Sequence, residues 1–321
     1  MEKNVINALK KGDTLTSSKR TYHIEEILGA GGFGITYKVS SEIMIDNVPI
    51  VTFFALKEHF LKKACERIDS KVCPTSNNTE DVEKSRDNFL SEATRLNRLS
   101  ASHNNIVKVN ENFKANDTAY YVMEYIDGPS LRTVINQRGN KPLPWEDALE
   151  IIKPISDAVS YLHDNRLTHL DIKPDNIILD TRKHNRPVLI DFGLSKHYDK
   201  NGEATSTLRI TGCSDGYAPI EQYVGITTFS PKADVYALAS TLLFLITGKD
   251  TLIATELNES KIRESLSDKV PEYAVQGIVS ALRKQPEERT SSVKEFLNSL
   301  YPKDSSEEAS VKEEADTEKK R

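Results

Sequence analysis

One nine-residue stretch, Thr168-His169-Leu170-Asp171-Ile172-Lys173-Pro174-Asp175-Asn176, constrains this chain more than any other. It sets a carboxylate, an ammonium and a carboxamide at fixed intervals on one short polar loop. Apolar residues flank the loop on both sides, which supplies the rigid scaffold a positioned site needs. The combination suits phosphoryl transfer. Asp171 can accept a hydrogen bond from an attacking hydroxyl, Lys173 can neutralise charge on the moving group, and Asn176 can offer its oxygen to a magnesium ion. A polar turn without chemistry has no need of all these groups at this spacing.

Asp191-Phe192-Gly193 follows soon after. Together the two stretches resemble the catalytic loop and metal-binding motif of the protein kinases, H-R-D-L-x-x-x-N and D-F-G. Leu170 departs from the pattern, standing where most of that family has Arg. The resemblance implies an α+β, bilobal protein-kinase fold, with a small β-rich N-lobe carrying one main helix and a larger, mainly helical C-lobe. It covers roughly residues 22–300, with the N-lobe at about 22–124 and the C-lobe at about 127–300. Residues 1–21 read as an approach segment, and residues 301–321, charged and without apolar period, as a disordered tail or linker.

The chain of 321 residues is long enough for such a two-lobed body. Lys and Arg total 43 against 48 for Asp and Glu, a net charge of -5, so nothing suggests a nucleic-acid footprint. Cys65, Cys73 and Cys213 lack the paired spacing of a metal site and read as reduced thiols of a cytoplasmic protein. The longest nearly apolar run, Ala237 to Ile246, is too short to span a bilayer.

From Tyr22 an alternating strand pattern runs into Gly29-Ala30-Gly31-Gly32-Phe33-Gly34, and strand-forming residues continue after it. A dinucleotide-binding turn would open a helix at this point. Strand, glycine turn, strand is the kinase arrangement, in which Gly29, Gly31 and Gly34 let the turn fold over a triphosphate. Ala55-Leu56-Lys57 fits the V-A-I-K pattern, with Ala55 lining the adenine slot and Lys57 reaching the α- and β-phosphates. Between Glu58 and Ser85 the composition suggests an inserted surface segment of undefined path. A helix follows with Phe89, Leu90, Ala93, Leu96 and Leu99 at helical spacing. Glu92, beside that apolar face, is favoured over Glu83 as the carboxylate that pairs with Lys57.

Tyr120 to Tyr125 reads as the strand leading into the hinge, where the resemblance has backbone groups of Glu124 and Ile126 bond the adenine and Met123 control the pocket behind it. Trp145 to Asn165 is an apolar-faced helix in which Pro154 implies a kink or a late start. Residues Ser195 to Glu221 look like an activation segment. Glu221 matches the Glu that pairs with a buried Arg, for which Arg289 is the candidate, and Asp234 matches the Asp that holds the catalytic-loop backbone.

The resemblance therefore implies ATP-dependent transfer of a phosphoryl group to serine or threonine hydroxyls of proteins. Asp171 and Lys173 are the catalytic residues, and Asn176 and Asp191 the ligands of Mg2+. Lys173 and Ser214 point to serine/threonine rather than tyrosine kinases, and Gly-Gly-Phe-Gly-Ile-Thr-Tyr to the bacterial eukaryotic-like branch. A pseudokinase scaffold or a small-molecule phosphotransferase are the rival readings. All of Lys57, Asp171, Asn176 and Asp191 are present, against the first, and the stretch from Gly212 to Glu221 reads as peptide docking, against the second. Leu170 leaves an activation-segment phosphate without its usual partner.

Overall fold

The computed structural model describes residues 7–75, 78–198, 213–223 and 230–302. Its N-terminal part is a six-stranded antiparallel sheet built from β1 (Thr14–Thr16), β2 (Thr21–Ala30), β3 (Gly34–Ile45), β4 (Val48–His59), β7 (Val109–Ala115) and β8 (Thr118–Glu124). The strands lie in the order β1-β2-β3-β4-β8-β7. Between β4 and β7 come a hairpin of β5 (Cys65–Ile68) and β6 (Lys71–Pro74), then α1 (Thr79–Ser100).

Alternation along the strands separates two jobs. Tyr37 and Val39 of β3 and Phe54 and Leu56 of β4 point to one face and close a small aromatic core with Tyr22, Tyr120 and Val122. Ala55 of β4 and Tyr121 and Met123 of β8 point to the other face, where Ala93 and Leu96 of α1 cover them. Lys57 shares that second face two residues after Ala55, so the packing that orders the sheet also aims its ammonium group at the space between the lobes.

Two expectations change here. The segment after Glu58 has a defined path, because Cys65 and Val72 are buried and Arg67 reaches back to the wholly buried Glu58 carboxylate at 2.5 Å. Tyr37 and Tyr120 hydroxyls also donate to that carboxylate, at 2.9 and 2.7 Å. A charge with no access to water requires such partners, so the hairpin is pinned to the lobe. Described residues before Tyr22 likewise join the sheet or pack on it. β1 pairs with β2, Leu9 and Leu15 are buried, and the Leu9 N–H donates to the Tyr37 hydroxyl at 3.1 Å.

The C-terminal part is helical: α2 (Leu131–Gln137), α3 (Trp145–Asp164), α4 (Ile220–Tyr223), α5 (Lys232–Thr247), α6 (Glu259–Leu266), α7 (Glu272–Ala281) and α8 (Val293–Ser299). α3 begins at Trp145, so Pro154 does not delay it. Every residue of α5 from Ala233 to Ile246 is buried, and α3, α7 and α8 pack around it. Short strands interrupt the helices: β9 (Leu167–Thr168), β10 (Ile177–Asp180), β11 (Arg186–Leu189) and β12 (Lys196–His197), paired β10 with β11 and β9 with β12. Where the chain crosses between lobes Gly128 is required, since a Cβ there would overlap the Leu179 carbonyl. No helix among the described residues is long and apolar enough to cross a membrane. Residues 303–321 and most of the expected activation segment lie outside the described residues.

Candidate active site

The two lobes face each other across a cleft of about 650 Å³ whose lining includes Gly29, Gly31, Gly34, Lys57, Asp171, Lys173, Asn176 and Asp191. The floor is the loop between β9 and β10, and its backbone is held from below. Asp234, fully buried on α5, accepts from the N–H groups of His169 and Leu170, both at 2.8 Å, and from His163 Nε2 at 2.8 Å. Burial opposes ionisation of that carboxyl, but the bond from His163 and the surrounding donors outweigh it and hold its pKa below the ordinary value. Leu170 takes a positive φ of 63°, a strained conformation for a leucine that these bonds and a third, from Gln222 Nε2 to the Leu170 carbonyl at 2.9 Å, maintain.

His169 is buried and stacks edge-on against Phe192, with ring centroids 4.5 Å apart. Its Nδ1 accepts from the Asp171 N–H at 3.3 Å while its Nε2 faces the Ile190 carbonyl at 3.1 Å, the pattern of a neutral ring protonated on Nε2. Burial lowers its pKa and favours the same form.

Around Asp171 three donors converge. Lys173 Nζ lies 3.0 and 2.9 Å from the two carboxylate oxygens, Asn176 Nδ2 donates to Oδ2 at 2.9 Å, and the Ser214 hydroxyl donates to Oδ1 at 2.7 Å. Lys173 also bonds Ser214 at 2.8 Å, which joins the catalytic loop to the segment before α4. Asn176 Nδ2 donates a second time, to the Asp171 carbonyl at 2.8 Å, leaving the carboxamide oxygen for the cleft.

On the upper wall Lys57, 5% exposed, forms an ion pair with Asp191. Burial alone would strip the proton from Lys57 and add one to Asp191. The attraction between them overrides it, raising the Lys57 pKa and pulling Asp191 down to about 2. A Cβ at Gly193 would press on Lys57 Nζ, so a side chain there would displace the ammonium group from its pairing with Asp191. Gly34 is required, since a Cβ would overlap the Glu58 backbone carbonyl; around Gly29 and Gly31 the space is open.

Other placements differ from expectation. Glu92 does not pair with Lys57. It lies 3.5 Å from Arg95 and 3.8 Å from His197, in a half-buried position where burial raises its pKa. The cause is β12, which pairs with β9 and brings His197 against α1. Ala55 and Ile126 are nearly buried and pack in one cluster with Met123. The Glu124 N–H donates to the Lys108 carbonyl at 2.9 Å, so of its two backbone groups the carbonyl is the one that could meet an adenine.

Glu221 and Arg289 form the expected pair, bidentate at 2.6 and 3.1 Å and buried. The sequence reading missed Arg132, whose Nε bonds Asp175 at 3.2 Å and whose other nitrogens bond Asp250 at 2.5 Å and the Tyr217 hydroxyl at 3.2 Å, at the mouth of the cleft. No local motif announces it; only the meeting of α2 with the loop and the segment before α4 gives it partners.

Among the described residues no three His, Cys, Asp or Glu side chains gather to hold a metal ion unaided. Asn176 and Asp191 supply hard oxygen donors on the same cleft, which fits a divalent ion completed by phosphate and water.

Comparison with known proteins agrees with this geometry. The protein kinase domain family matches residues 22–318, and the chain belongs to it. It is 30% identical over 288 residues to serine/threonine-protein kinase PknA of Nostoc sp., covering 87% of this chain and 46% of that protein. It is 31% identical over 286 residues to serine/threonine-protein kinase C of Synechocystis sp., covering 87% and 49%. The chain thus spans about half the length of these relatives. The solved structure of PpkA-294 in its apo form superposes with a TM-score of 0.69 at 23% identity, covering 92% of this chain and all of that one. The Mycobacterium tuberculosis PknI kinase domain, as a double mutant, gives 0.64 at 24% identity, covering 91% and 98%. The fold is the bilobal kinase fold.

Proposed function

We propose that this chain is a cytoplasmic, ATP-dependent serine/threonine protein kinase that uses magnesium. The observation that carries the reading is the Asp171 carboxylate, held by Lys173 and Asn176, accepting a hydroxyl hydrogen bond from Ser214 at 2.7 Å. A substrate hydroxyl in that place would be aimed at the γ-phosphorus. As the bond from γ-phosphorus to the bridging oxygen of the leaving diphosphate breaks, a bond to the substrate oxygen forms, and its proton passes to Asp171. Lys173, beside the same carboxylate, offsets charge on the moving group, and Lys57 holds the α- and β-phosphates. Asn176 and Asp191 would hold the Mg2+, which when bound neutralises phosphate charge. The substrates are protein serines and threonines.

Glu92 and Lys57 stand apart here, so turnover requires α1 and β12 to shift or an arrangement without that pair. Intact-mass measurement after incubation with Mg-ATP and a protein substrate tests the reading. Gains of about 80 Da per phosphoryl group, absent in Asp171→Asn, are expected. Nucleotide binding without any gain in mass would instead favour a scaffold.

A further inference from the structure

The glycine turn from Gly29 to Gly34 is tied to more than the two strands it joins. Gly34 and Ile35 pair with His59 and Glu58 of β4, and the hydrogen bonding then runs on past the ends of both strands. The Phe60 N–H donates to the Phe33 carbonyl at 3.4 Å, and the Lys62 N–H donates to the Gly32 carbonyl at 3.2 Å. Within the turn the Gly31 N–H donates to the Gly34 carbonyl at 2.9 Å. Its tip is therefore fastened to the residues after β4, which lead into the β5–β6 hairpin. Among the described residues the space around Gly29, Gly31 and Gly32 is open, so these backbone bonds, rather than packing, set where the tip lies.

The hairpin is what keeps those donors still. The Leu61 carbonyl accepts from the N–H groups of Ala64 and Cys65, at 2.9 and 2.8 Å, closing a turn with Lys62 at its second position. Phe60 and Cys65, on either side, are buried. Arg67 spans the assembly. Its guanidinium carbon lies 5.6 Å from the centre of the Phe60 ring, and its nitrogens bond the Glu58 carboxylate at 2.5 Å, the Ser70 carbonyl at 3.0 Å and the Asn7 carbonyl at 2.7 Å. The second strand is fixed as well. The Val72 N–H donates to the carbonyl of Asn116, between β7 and β8, at 2.9 Å, and the Thr75 N–H to the Ala64 carbonyl at 2.9 Å. The hairpin is thus braced against the sheet at one end and against the glycine turn at the other.

A glycine turn free to move would have to be ordered each time a nucleotide bound, and the lost entropy would weaken the affinity. A turn already held in place binds without that loss. We infer that the β5–β6 hairpin is a strut that holds the glycine turn ready for the triphosphate, with the Lys62 N–H as its point of contact and Arg67 as the positioning residue that keeps the contact in register. The inference rests on the reading of the cleft as a nucleotide site. Neither Lys62 nor Arg67 is part of the cleft lining, so both act through the turn.

Proline at position 62 separates the backbone bond from everything else. Lys62 is exposed and sits where a turn accepts proline, so Lys62→Pro removes one N–H and should leave the fold intact. Lys62→Ala loses the same side chain but keeps the N–H. By isothermal titration calorimetry on the whole chain, the Kd for Mg-ATP should rise roughly fivefold or more in Lys62→Pro and stay within about twofold of wild type in Lys62→Ala. KM for ATP should rise in parallel, while kcat and KM for the protein substrate hold. Hydrogen exchange of the Gly31 and Phe60 amides should be about tenfold faster in the proline variant at an unchanged melting temperature. Arg67→Ala should reproduce both effects together with a loss of stability, and Arg67→Lys, which keeps a cation for Glu58, should recover part of the affinity. Equal affinities in Lys62→Pro and Lys62→Ala overturn the inference, as do unchanged exchange rates. Should Lys62→Pro melt early, Leu15→Ala, which weakens the same core away from the turn, supplies the comparison, and an equal loss of ATP affinity in both overturns the inference. A wild type that binds no Mg-ATP would refute the nucleotide site itself, and the exchange rates would then decide whether the hairpin holds the turn.

Discussion

Asp171 touches three donors and contacts neither the Lys57–Asp191 pair nor any group aimed at the α- and β-phosphates. Replacing it with Asn keeps the shape but removes the proton acceptor. A loss in kcat of about 10²- to 10⁴-fold is expected, with Mg-ATP still raising the melting temperature. A thermal shift lost along with activity would move Asp171 into nucleotide binding. His59 carries a different expectation. Its ring is buried, its Nε2 bonds Ser85 Oγ at 2.8 Å, and burial together with the nearby Arg86 charge holds its pKa down to about 4. The folded protein therefore resists protonating a residue that the unfolded chain protonates near 6.5. Its contribution to stability is fully present above pH 6.5 and is lost as the pH falls from there to 4, by at most about 3 kcal/mol. Urea titrations between pH 7.5 and 4 should show a shallower decline for His59→Gln than for wild type, and parallel curves would remove this role.

At the scale of elements, α4 is joined to the chain beyond α7 by one buried, bidentate pair. Arg289→Ala would leave the Glu221 carboxylate buried and uncompensated, at a cost of about 3–5 kcal/mol. Chemical denaturation reads this directly, and a change below 1 kcal/mol would mean that water replaces the guanidinium. The activation segment poses a related question. Leu170 is buried against Ala233 and Leu194, and it offers no charge to a phosphate at Thr205, Ser206, Thr207 or Thr211, positions outside the described residues. Protein stripped by a phosphatase should start at its full rate on a protein substrate. A lag that ends only as phosphate returns to the segment would transfer the role to another basic residue, and Lys196, beside Glu92, is the first to examine.

For the molecule as a whole, the two ends should respond differently to trimming. Removing residues 1–20 takes away β1 with the buried Leu9 and Leu15 and the Leu9 bond to Tyr37, and a loss of several kcal/mol, about 2–5 for each leucine at most, is expected. Removing Lys303 to Arg321 should leave the melting temperature within about one degree, since the last buried side chain of α8 and its cap is Leu300. Differential scanning calorimetry on both truncations separates the two outcomes.

The spacing of Asp171, Lys173 and Asn176, with Asp191 beyond them, was decided by local sequence. Those groups meet within a loop and its adjoining strands, over distances the backbone itself fixes. Alternation likewise fixed that Ala55 and Lys57 share a face, and the uniformly apolar run from Ala233 to Ile246 fixed that α5 is buried all round. What sequence could not decide depends on residues far apart in the chain competing for the same charge. Lys57 pairs with Asp191 rather than Glu92 because β12 delivers His197 to α1. The segment after Glu58 is ordered because a buried carboxylate needs Arg67. Arg132 gains its partners only when α2 meets the loop before α4. In each case the alternatives differ by the solvation of an ion, and solvation is set by which surfaces the tertiary fold brings together.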